Sequence, residues 1–491
     1  MTNTNKLSIL AVMVGVLLAT SACTVNPATG KQDFTPFMTP QQESAIGAAE
    51  HPKIVQQFGG VYNDSSLSAY VTQVGNQVAA NSELSGQPWK FTVLNSHIPN
   101  AFALPGGYVY VTRGLLAIMN SEDELAGVLG HEIGHVTARH SAKRYSNAML
   151  VGVGTGILGA STDNQMLQQA ATIGGALYLS SYSRKQEYQS DDLGVRYIDR
   201  TGYDPYAQSD VLNSLGMASN LSAQVSGRSA QGSNMDFFST HPNTPDRVSR
   251  AAGKAAETGV QQGERSRKKS DFLDQIDGMA YGDDGSQGVI DGQSFFHAGL
   301  GFTFTVPDGF TLKNTPTAVV FQGPNQSIGA LDTVKGEPGQ SMSAHLQATF
   351  GQSMALQGVR DMNINGMSAA SATGLAKLND IDAAMRLVAF RFKAEQIYRF
   401  QFAVAPTARE VLDGQFKAIA RSFRPLSRNE RAALASGAQQ IDIVTVRQGD
   451  TMTSIIGRMA PGEFQQQRFL SINGLREGDQ LNIGQKIKIV R

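Results

Sequence analysis

The chain has 491 residues, of which 41% are apolar and 17% are charged, a composition typical of folded globular protein. Its length suggests about three or four domains of roughly 100–200 residues each. Lysine and arginine together number 41, as do aspartate and glutamate, so the formal net charge is +0. This balance gives no net electrostatic attraction for nucleic acid, and we expect no nucleic-acid partner.

A short apolar stretch near the N-terminus indicates export. Residues 7–18 are almost continuously apolar, and small residues then lead to Cys23. The stretch is too short to span a bilayer, and its order is typical of a secretory signal peptide, predicted at residues 1–22. Cys23 is the only cysteine of the chain, which excludes an intramolecular disulfide.

The end of this signal resembles that of bacterial lipoproteins, in which the cysteine is lipidated and becomes the new N-terminus. Thr20 stands where that pattern prefers leucine, so an ordinary cleaved signal is the alternative. The resemblance implies lipidation of Cys23, a tether over residues 23–39, and membrane anchoring. Thr24 follows the cysteine where an aspartate would indicate inner-membrane retention. We therefore expect an exported, periplasmic protein anchored to the outer membrane.

Helices and strands are predicted in the next part of the chain from periodicity. Helical spacing covers residues 41–81, and a strand is predicted at Lys90–Leu94. Residues 100–112 alternate as in a β-hairpin, with the turn at 105–107. Further along, a long helix is predicted over 165–199.

A capped helix carries the sharpest chemical motif. Ser121 and Glu124 form a capping-box pattern at its start. His131 and His135 are four residues apart, about 40° round a helix, so both imidazoles can bind one metal ion. Glu132 lies about 100° from His131, near the metal without competing for it. A catalytic zinc needs three protein ligands and an open position, and a nearby carboxylate can take a proton from the water that the metal acidifies.

The third ligand comes from one of two places. His140 lies about 180° from His131 while the helix continues, which predicts a helix-surface position. Glu187 and Asp191 are four apart on the second long helix. Glu187 would complete the ligand set, and Asp191 would accept a hydrogen bond from a ligand imidazole and fix its tautomer. A solvated pair of acids is the alternative.

Together with the hairpin, these residues resemble the family of the HtpX heat-shock protease and the CAAX prenyl endoproteases. The resemblance covers about residues 40–260 and is closest to the exported branch, which includes the beta-barrel assembly-enhancing protease. It implies a mainly helical gluzincin domain with a small sheet over residues 40–263. It also implies one zinc ion per chain bound by His131, His135 and Glu187, with Glu132 as general base.

Two further features concern substrate and regulation. Asn100, Ala101 and Phe102 begin the predicted edge strand beside the cleft, to which an extended peptide can add; an ordinary core hairpin is the compatible alternative. Residues 239–247 resemble a loop of the exported branch whose histidine approaches the zinc. His241 would either stabilise the oxyanion or occupy the open zinc position and hold the enzyme shut. Arg247 could steady carboxylates or a substrate carbonyl, but a solvated surface position is the default expectation.

Two regions connect the helices of this domain to the next one. Thr244 and Pro245 form a typical helix start, with threonine as the N-cap and proline at the first position. Residues 264–269 are predicted to form a charged linker.

The sequence predicts two more domains in the rest of the chain. Residues 271–425 contain alternating strands and amphipathic helices, an α+β pattern whose opening at 296–309 resembles a PsbP/Mog-type domain. Residues 441–491 follow the order strand, helix, helix, strand and resemble a LysM domain, which binds N-acetylglucosamine-containing glycans such as peptidoglycan. A LysM-shaped module that binds protein or nothing is the alternative. The predicted fold class is multidomain α+β.

The expected function is that of a zinc metalloendopeptidase of the cell envelope that hydrolyses misfolded or unassembled envelope proteins. One alternative is a hydrolase of peptidoglycan cross-link peptides. Another is a non-catalytic, peptidoglycan-associated scaffold with a structural or shut zinc site. Glu132 argues against the scaffold, because a purely structural zinc site has no use for a general base.

Overall fold

The computed structural model describes residues 23–35, 38–154, 181–226, 237–242, 246–283, 288–315, 318–378, 381–436 and 439–491. The chain divides into two compact units. The first unit contains Met1–Val55, Gly60–Gly282 and Gln440–Arg491. The second contains Asp283–Gln439 together with Gln56–Gly59. Helices and several sheets occur together, in agreement with the predicted multidomain α+β class.

A three-stranded sheet of the first unit contains the predicted hairpin. Its order is β3-β5-β4, in which β5 is antiparallel to β4 and parallel to β3. The strands are β3 Lys90–Leu94, β4 Ala101–Leu104 and β5 Tyr108–Thr112. The hairpin turn depends on Gly106 and Gly107, whose φ angles are 84° and 88°. This left-handed backbone conformation favours glycine, so the predicted turn has a direct physical cause.

Helices form most of the rest of this unit. Their bounds are α1 Pro40–Gln57, α2 Ser65–Ala79, α3 Arg113–Ile118, α4 Glu122–Thr137, α5 His140–Gly154, α6 Arg184–Thr201, α7 Ala207–Ser226, α8 Phe237–Thr240, α9 Arg247–Glu257 and α10 Lys269–Ile276. Residues 41–81 are mostly helical, as predicted, but they form two separate helices, α1 and α2. Gly59 and Gly60 have positive φ between them, and the side chain of Asp64 caps α2 by accepting from Leu67 N.

The N-terminal segment predicted as a tether is partly ordered. The strands β1 Cys23–Val25 and β2 Gln32–Phe34 form an antiparallel pair. Between them, Asn26 Nδ2 donates to the carbonyl oxygen of Ala138 at 3.0 Å. The signal-peptide prediction for residues 1–22 lies outside the described residues. Within the described ranges, no helix combines the length and apolarity needed to cross a membrane.

The predicted charged linker at 264–269 is packed against the helices. Arg267 forms ion pairs with Asp204 at 2.9 Å and with Asp210. Lys268 Nζ lies 2.6 Å from Glu122 Oε1, at the start of α4. The segment connects α9 to α10, its charges have fixed partners of opposite sign on neighbouring elements, and the boundary between the two units lies later, at residues 282–283.

The second unit is built on a seven-stranded antiparallel sheet of order β12-β13-β14-β15-β11-β10-β9 and a four-stranded sheet of order β16-β8-β7-β6. Phenylalanine side chains dominate its buried core. The strands are β6 Val289–Asp291, β7 Ser294–His297, β8 Phe302–Thr305, β9 Thr311–Asn314, β10 Ala318–Gln322, β11 Ile328–Lys335, β12 Gln357–Ile364, β13 Met367–Leu378, β14 Ile381–Lys393, β15 Gln396–Val404 and β16 Arg424–Pro425. The helices are α11 Met342–Phe350, α12 Arg409–Ser422 and α13 Arg428–Ser436.

The C-terminal residues belong to the first unit. Their elements are β17 Ile441–Thr445, α14 Met452–Ile456, α15 Gln465–Asn473 and β18 Lys486–Val490. β17 and β18 are antiparallel. The buried apolar side chains of this module belong to the same core cluster as those of α2, α4, α7 and α10.

Candidate metal centre

Helix α4 carries the predicted metal-binding motif and is buried along its whole length. Ser121 caps it, since its hydroxyl accepts from Glu124 N at 3.2 Å. The cap agrees with the sequence prediction, but the Glu124 side chain does not complete the box. Its Oε2 accepts instead from Asn120 N at 2.9 Å.

Glycines allow α6 to approach α4 closely. A Cβ atom on Gly194 would lie 3.1 Å from His131 N, and one on Gly130 would lie 3.3 Å from Gly194 Cα. A Cβ on Gly134 would lie 3.2 Å from Ser190 O. Larger side chains would force the helices apart, so this glycine contact holds α6 beside the two histidines of α4.

Four buried side chains converge on one point: His131, His135, Glu187 and His241. One donor atom from each lies within 4.8 Å of the other three. The Nε2 atoms of the two α4 histidines are 3.0 Å apart. Glu187 Oε1 lies 3.5 Å from His135 Nε2 and 3.1 Å from His241 Nδ1. The structure thus brings the three predicted ligands together and adds His241 as a fourth.

The other ring nitrogens of the α4 histidines have buried partners. His131 Nδ1 lies 2.9 Å from Asp191 Oδ1 and donates to it. His135 Nδ1 lies 2.9 Å from Nδ1 of His140, whose Nε2 lies 3.1 Å from Gln189 Oε1. Because that amide oxygen accepts from His140 Nε2, His140 Nδ1 accepts from His135. Both ligand histidines therefore carry their proton on Nδ1, which leaves both Nε2 lone pairs free.

This donor set fits a metal ion. Two unprotonated Nε2 atoms 3.0 Å apart cannot hydrogen-bond to each other, and burial excludes water from their lone pairs. Two nitrogens bound to one tetrahedral zinc are separated by about 3.3 Å. Two imidazoles and a carboxylate are typical catalytic zinc ligands, so a cation between them satisfies donors that would otherwise repel.

Glu132 points into the same site and is fully buried. Among the described residues, neither of its carboxylate oxygens accepts a hydrogen bond, and Oε1 lies 3.5 Å from His241 Nε2. Burial raises the pKa of Glu132, while the charges of His241 and His131 act in the opposite direction. An acid held dry beside a metal site, with a raised pKa, suits proton transfer.

His241 enters the site from the short helix α8. Its backbone N–H donates to Phe237 O at 2.7 Å, and its ring stacks on the Phe237 ring with centroids 4.5 Å apart. Tyr182 N donates to Thr240 O, and the Tyr182 ring stacks on His135 at 3.8 Å. These aromatic contacts hold the His241 ring next to His131, His135 and Glu187.

Comparison with known proteins agrees with this geometry. Residues 65–255 match the model of peptidase family M48, and residues 444–490 match that of the LysM domain. These two segments of the chain are thus similar to M48 peptidases and to LysM domains. Peptidases of family M48 are zinc-dependent, in agreement with the predicted single zinc ion and with the donor set above.

Characterised relatives match the M48 part of the chain. The mitochondrial metalloendopeptidase OMA1 of Schizosaccharomyces pombe is 30% identical over 42% of this chain and 59% of its own length. The beta-barrel assembly-enhancing protease of Yersinia pestis is 31% identical over 39% of this chain and 40% of its own length. OMA1 of Arabidopsis thaliana is 35% identical over 34% of this chain and 31% of its own length. The chain thus spans less than two thirds of each of these relatives.

Sequence reasoning missed several side chains that support the M48 site. His140 was expected on the helix surface, but it is buried and bonded to His135. The α4 helix ends at Thr137, and Arg139 has a φ of 54°, so a new helix starts at His140 and turns it inward. The prediction was wrong because it assumed a continuous helix.

Arg247 was expected at the surface and is instead buried in the site. Its Nε and Nη2 donate to Asp191 at 2.8 Å, and its Nη1 lies 2.8 Å from Glu187 Oε2. Helix α9 begins at Arg247, after Asp246, and the predicted helix start at residues 244–245 lies outside the described residues. A fixed guanidinium between the two acids of α6 holds both carboxylates ionised, because a buried cation favours their charged forms.

The predicted substrate strand is at a sheet edge but is covered. β4 is the edge strand of its sheet, and Asn100, Ala101 and Phe102 are all buried. The backbone N–H of Phe237 donates to Pro99 O at 2.9 Å, next to the start of this strand. The short helix α8, which His241 directly follows, therefore also contacts the residue before this strand.

Proposed function

We propose that this protein is a zinc-dependent endopeptidase in which His131, His135 and Glu187 hold the metal and Glu132 is the general base. The observation that carries the proposal is the buried convergence of these ligands beside a carboxylate with no hydrogen bond among the described residues. The M48 match over residues 65–255 supports the same assignment.

The proposed chemistry divides between the metal and the chain. When bound, zinc supplies a Lewis acid that polarises a carbonyl oxygen and lowers the pKa of water. Glu132 takes the proton of the attacking water and passes it to the nitrogen of the breaking peptide bond. Asp191 orients His131 through its Nδ1–H, and His140 does the same for His135. Burial strengthens each of these electrostatic interactions.

We further propose that the conformation described is a closed, latent state held by His241. Its Nδ1 lies 3.3 Å from His131 Nε2 and 3.1 Å from Glu187 Oε1, where it competes with water for the metal. Displacing the α8 segment would free this position and also break the Phe237–Pro99 contact beside β4. An extended polypeptide could then add to the edge strand through main-chain hydrogen bonds.

His241→Ala separates the two roles that the sequence leaves open. A blocking role predicts at least a tenfold rise in the cleavage rate of an unfolded protein substrate, with zinc content unchanged. A fall in the rate with zinc retained would assign His241 to oxyanion stabilisation instead. A site that stays inactive in this variant, with zinc bound, would favour the non-catalytic scaffold.

We propose that the enzyme acts in the cell envelope on misfolded or unassembled proteins, as an exported protein anchored to the outer membrane through lipidated Cys23. Support comes from the signal-like N-terminus, the LysM match and the name of the beta-barrel assembly-enhancing relatives. Cys23→Ala tests the anchor, since it should release the protein from the membrane fraction and abolish lipid labelling. Sedimentation with purified peptidoglycan tests the glycan partner.

A further inference from the structure

A buried lysine of the LysM module contacts the backbone just before the start of helix α4. Lys488 lies in β18 and has no exposed surface. Its Nζ donates to the carbonyl oxygen of Ala117 at 2.9 Å and also to that of Met119. These carbonyls lie at the C-terminal end of α3, immediately before the Ser121 cap that begins α4.

An opposite charge on α4 interacts electrostatically with this lysine. Glu124 is buried, and its Oε2 accepts from Asn120 N, which fixes the turn between α3 and α4. Burial lowers the pKa of Lys488 to about 7, although the negative charge of Glu124 opposes this shift. Burial likewise raises the pKa of Glu124, and the positive charge of Lys488 opposes that shift. Each charge thus offsets part of the free-energy cost of burying the other.

Backbone contacts hold the C-terminal module in one register against the segment that follows α10. Gly278 N donates to Ile441 O and Ile441 N donates to Met279 O, both at 2.8 Å, so β17 pairs with the segment after α10. Gly474 also approaches closely, because a Cβ there would lie 3.1 Å from Asn120 Nδ2. These contacts fix the position at which the Lys488 side chain enters the M48 domain.

A lysine at this position does more than stabilise the fold. An apolar side chain often fills a buried ion-pair position with equal or greater stability. A buried ammonium group instead specifies one arrangement, since any shift leaves a charge and two carbonyl groups without partners. The arrangement specified here is that of the α3–α4 turn, whose last residue, Ser121, precedes His131 by ten residues, or about 15 Å along the helix.

We propose that Lys488 is a positioning residue through which the docked LysM module fixes helix α4 and thereby the metal-binding geometry. The proposal rests on the proposed function of the His131, His135 and Glu187 site. It assigns the LysM module a structural role in the peptidase in addition to any glycan binding. Displacement of the module is then expected to weaken metal binding about 15 Å away.

Lys488→Met in the full chain tests this proposal, with Lys486→Met as the matched control. Lys486 lies two residues earlier on the same strand and pairs with the partly exposed Asp274. We expect Lys488→Met to weaken Co²⁺ binding, followed by its visible absorption, by about tenfold or more. Amide hydrogen exchange in residues 122–137 should also become faster. The control should match the parent in both measurements.

The pairing with Glu124 provides a specific second readout. Glu124→Gln combined with Lys488→Met restores a neutral pair, so the double variant should recover part of the affinity that Lys488→Met loses. A role limited to packing predicts additive losses instead. If Lys488→Met does not fold, Lys488→Gln takes its place in both measurements. Glutamine keeps a hydrogen-bond donor for the two carbonyl groups but carries no charge.

Parent-like Co²⁺ affinity and exchange in a folded Lys488 variant would overturn the proposal. Failure of the proposed function would give a different result. In that case the parent protein would bind no metal, or the His241→Ala variant would cleave no substrate. Hydrogen exchange in α4 reports on positioning in either case, since it needs no catalysis.

Discussion

Asp191 connects the metal ligands to the charged groups behind them. Its carboxylate accepts hydrogen bonds from His131, from Nε and Nη2 of Arg247, and from Gln208. The sequence predicted its role from spacing alone, because residues four apart on a helix share a face. Arg247 and His140 were not predictable in this way. The arginine lies 56 residues from Asp191 in sequence, and the histidine depends on a helix break at Arg139.

Asp191→Asn is predicted to weaken zinc binding about 10–100-fold, because a neutral amide orients His131 poorly. Competition with a chromogenic chelator measures the affinity. Asp192→Asn is the matched control, since Asp192 is the next residue and faces the partly exposed Arg250. Equal affinities in the two variants would remove Asp191 from the metal-positioning role.

Arg247→Met is predicted to lower the free energy of unfolding by about 3–5 kcal/mol, because it leaves two buried carboxylates without their cation. Arg250→Met, on the same helix, removes the partly exposed ion pair with Asp192 and should lower the free energy of unfolding by only about 0–1 kcal/mol. Urea unfolding at a fixed zinc concentration measures both. Similar small losses would mean that zinc and the histidines alone compensate Glu187 and Asp191.

At the scale of elements, the site is a contact between two helices. The sequence predicted α4 well, through its Ser121 cap and apolar spacing, and it predicted that α6 supplies the acids. It did not predict the distance between the helices, which Gly130, Gly134 and Gly194 set. Glycines inside a predicted helix indicate only a local cost in helix propensity, and a close approach becomes visible only when the partner helix is known.

Gly194→Ala is predicted to destabilise the fold by about 1–3 kcal/mol and to reduce zinc content, since its Cβ would lie 3.1 Å from His131 N. Gly216→Ala on α7 is the control, because a Cβ there meets no atom within 4 Å. That change should leave stability unchanged or raise it by up to about 1 kcal/mol. Thermal unfolding with zinc analysis checks both, and equal behaviour would contradict the helix-contact account.

At the scale of the whole molecule, the C-terminal module was expected as a separate domain and instead shares a core with the M48 helices. The sequence predicted the order of its elements from turn and strand patterns. Its docking was not, because Ile441, Phe469 and Ile489 have the same apolar character whether they face their own module or another. The buried Lys488 was also hidden, since a lysine in a C-terminal strand ordinarily indicates a solvated surface.

We propose that one zinc site, with Glu132 as general base and His241 as the blocking residue, hydrolyses peptide bonds. The most direct measurement compares His241→Ala with the double variant that adds Glu132→Gln, recording zinc per chain and cleavage of an unfolded protein. The account predicts one zinc per chain in both variants, cleavage by the first, and at least a hundredfold loss in the second. Equal cleavage by both variants, or no bound zinc in either, would contradict it.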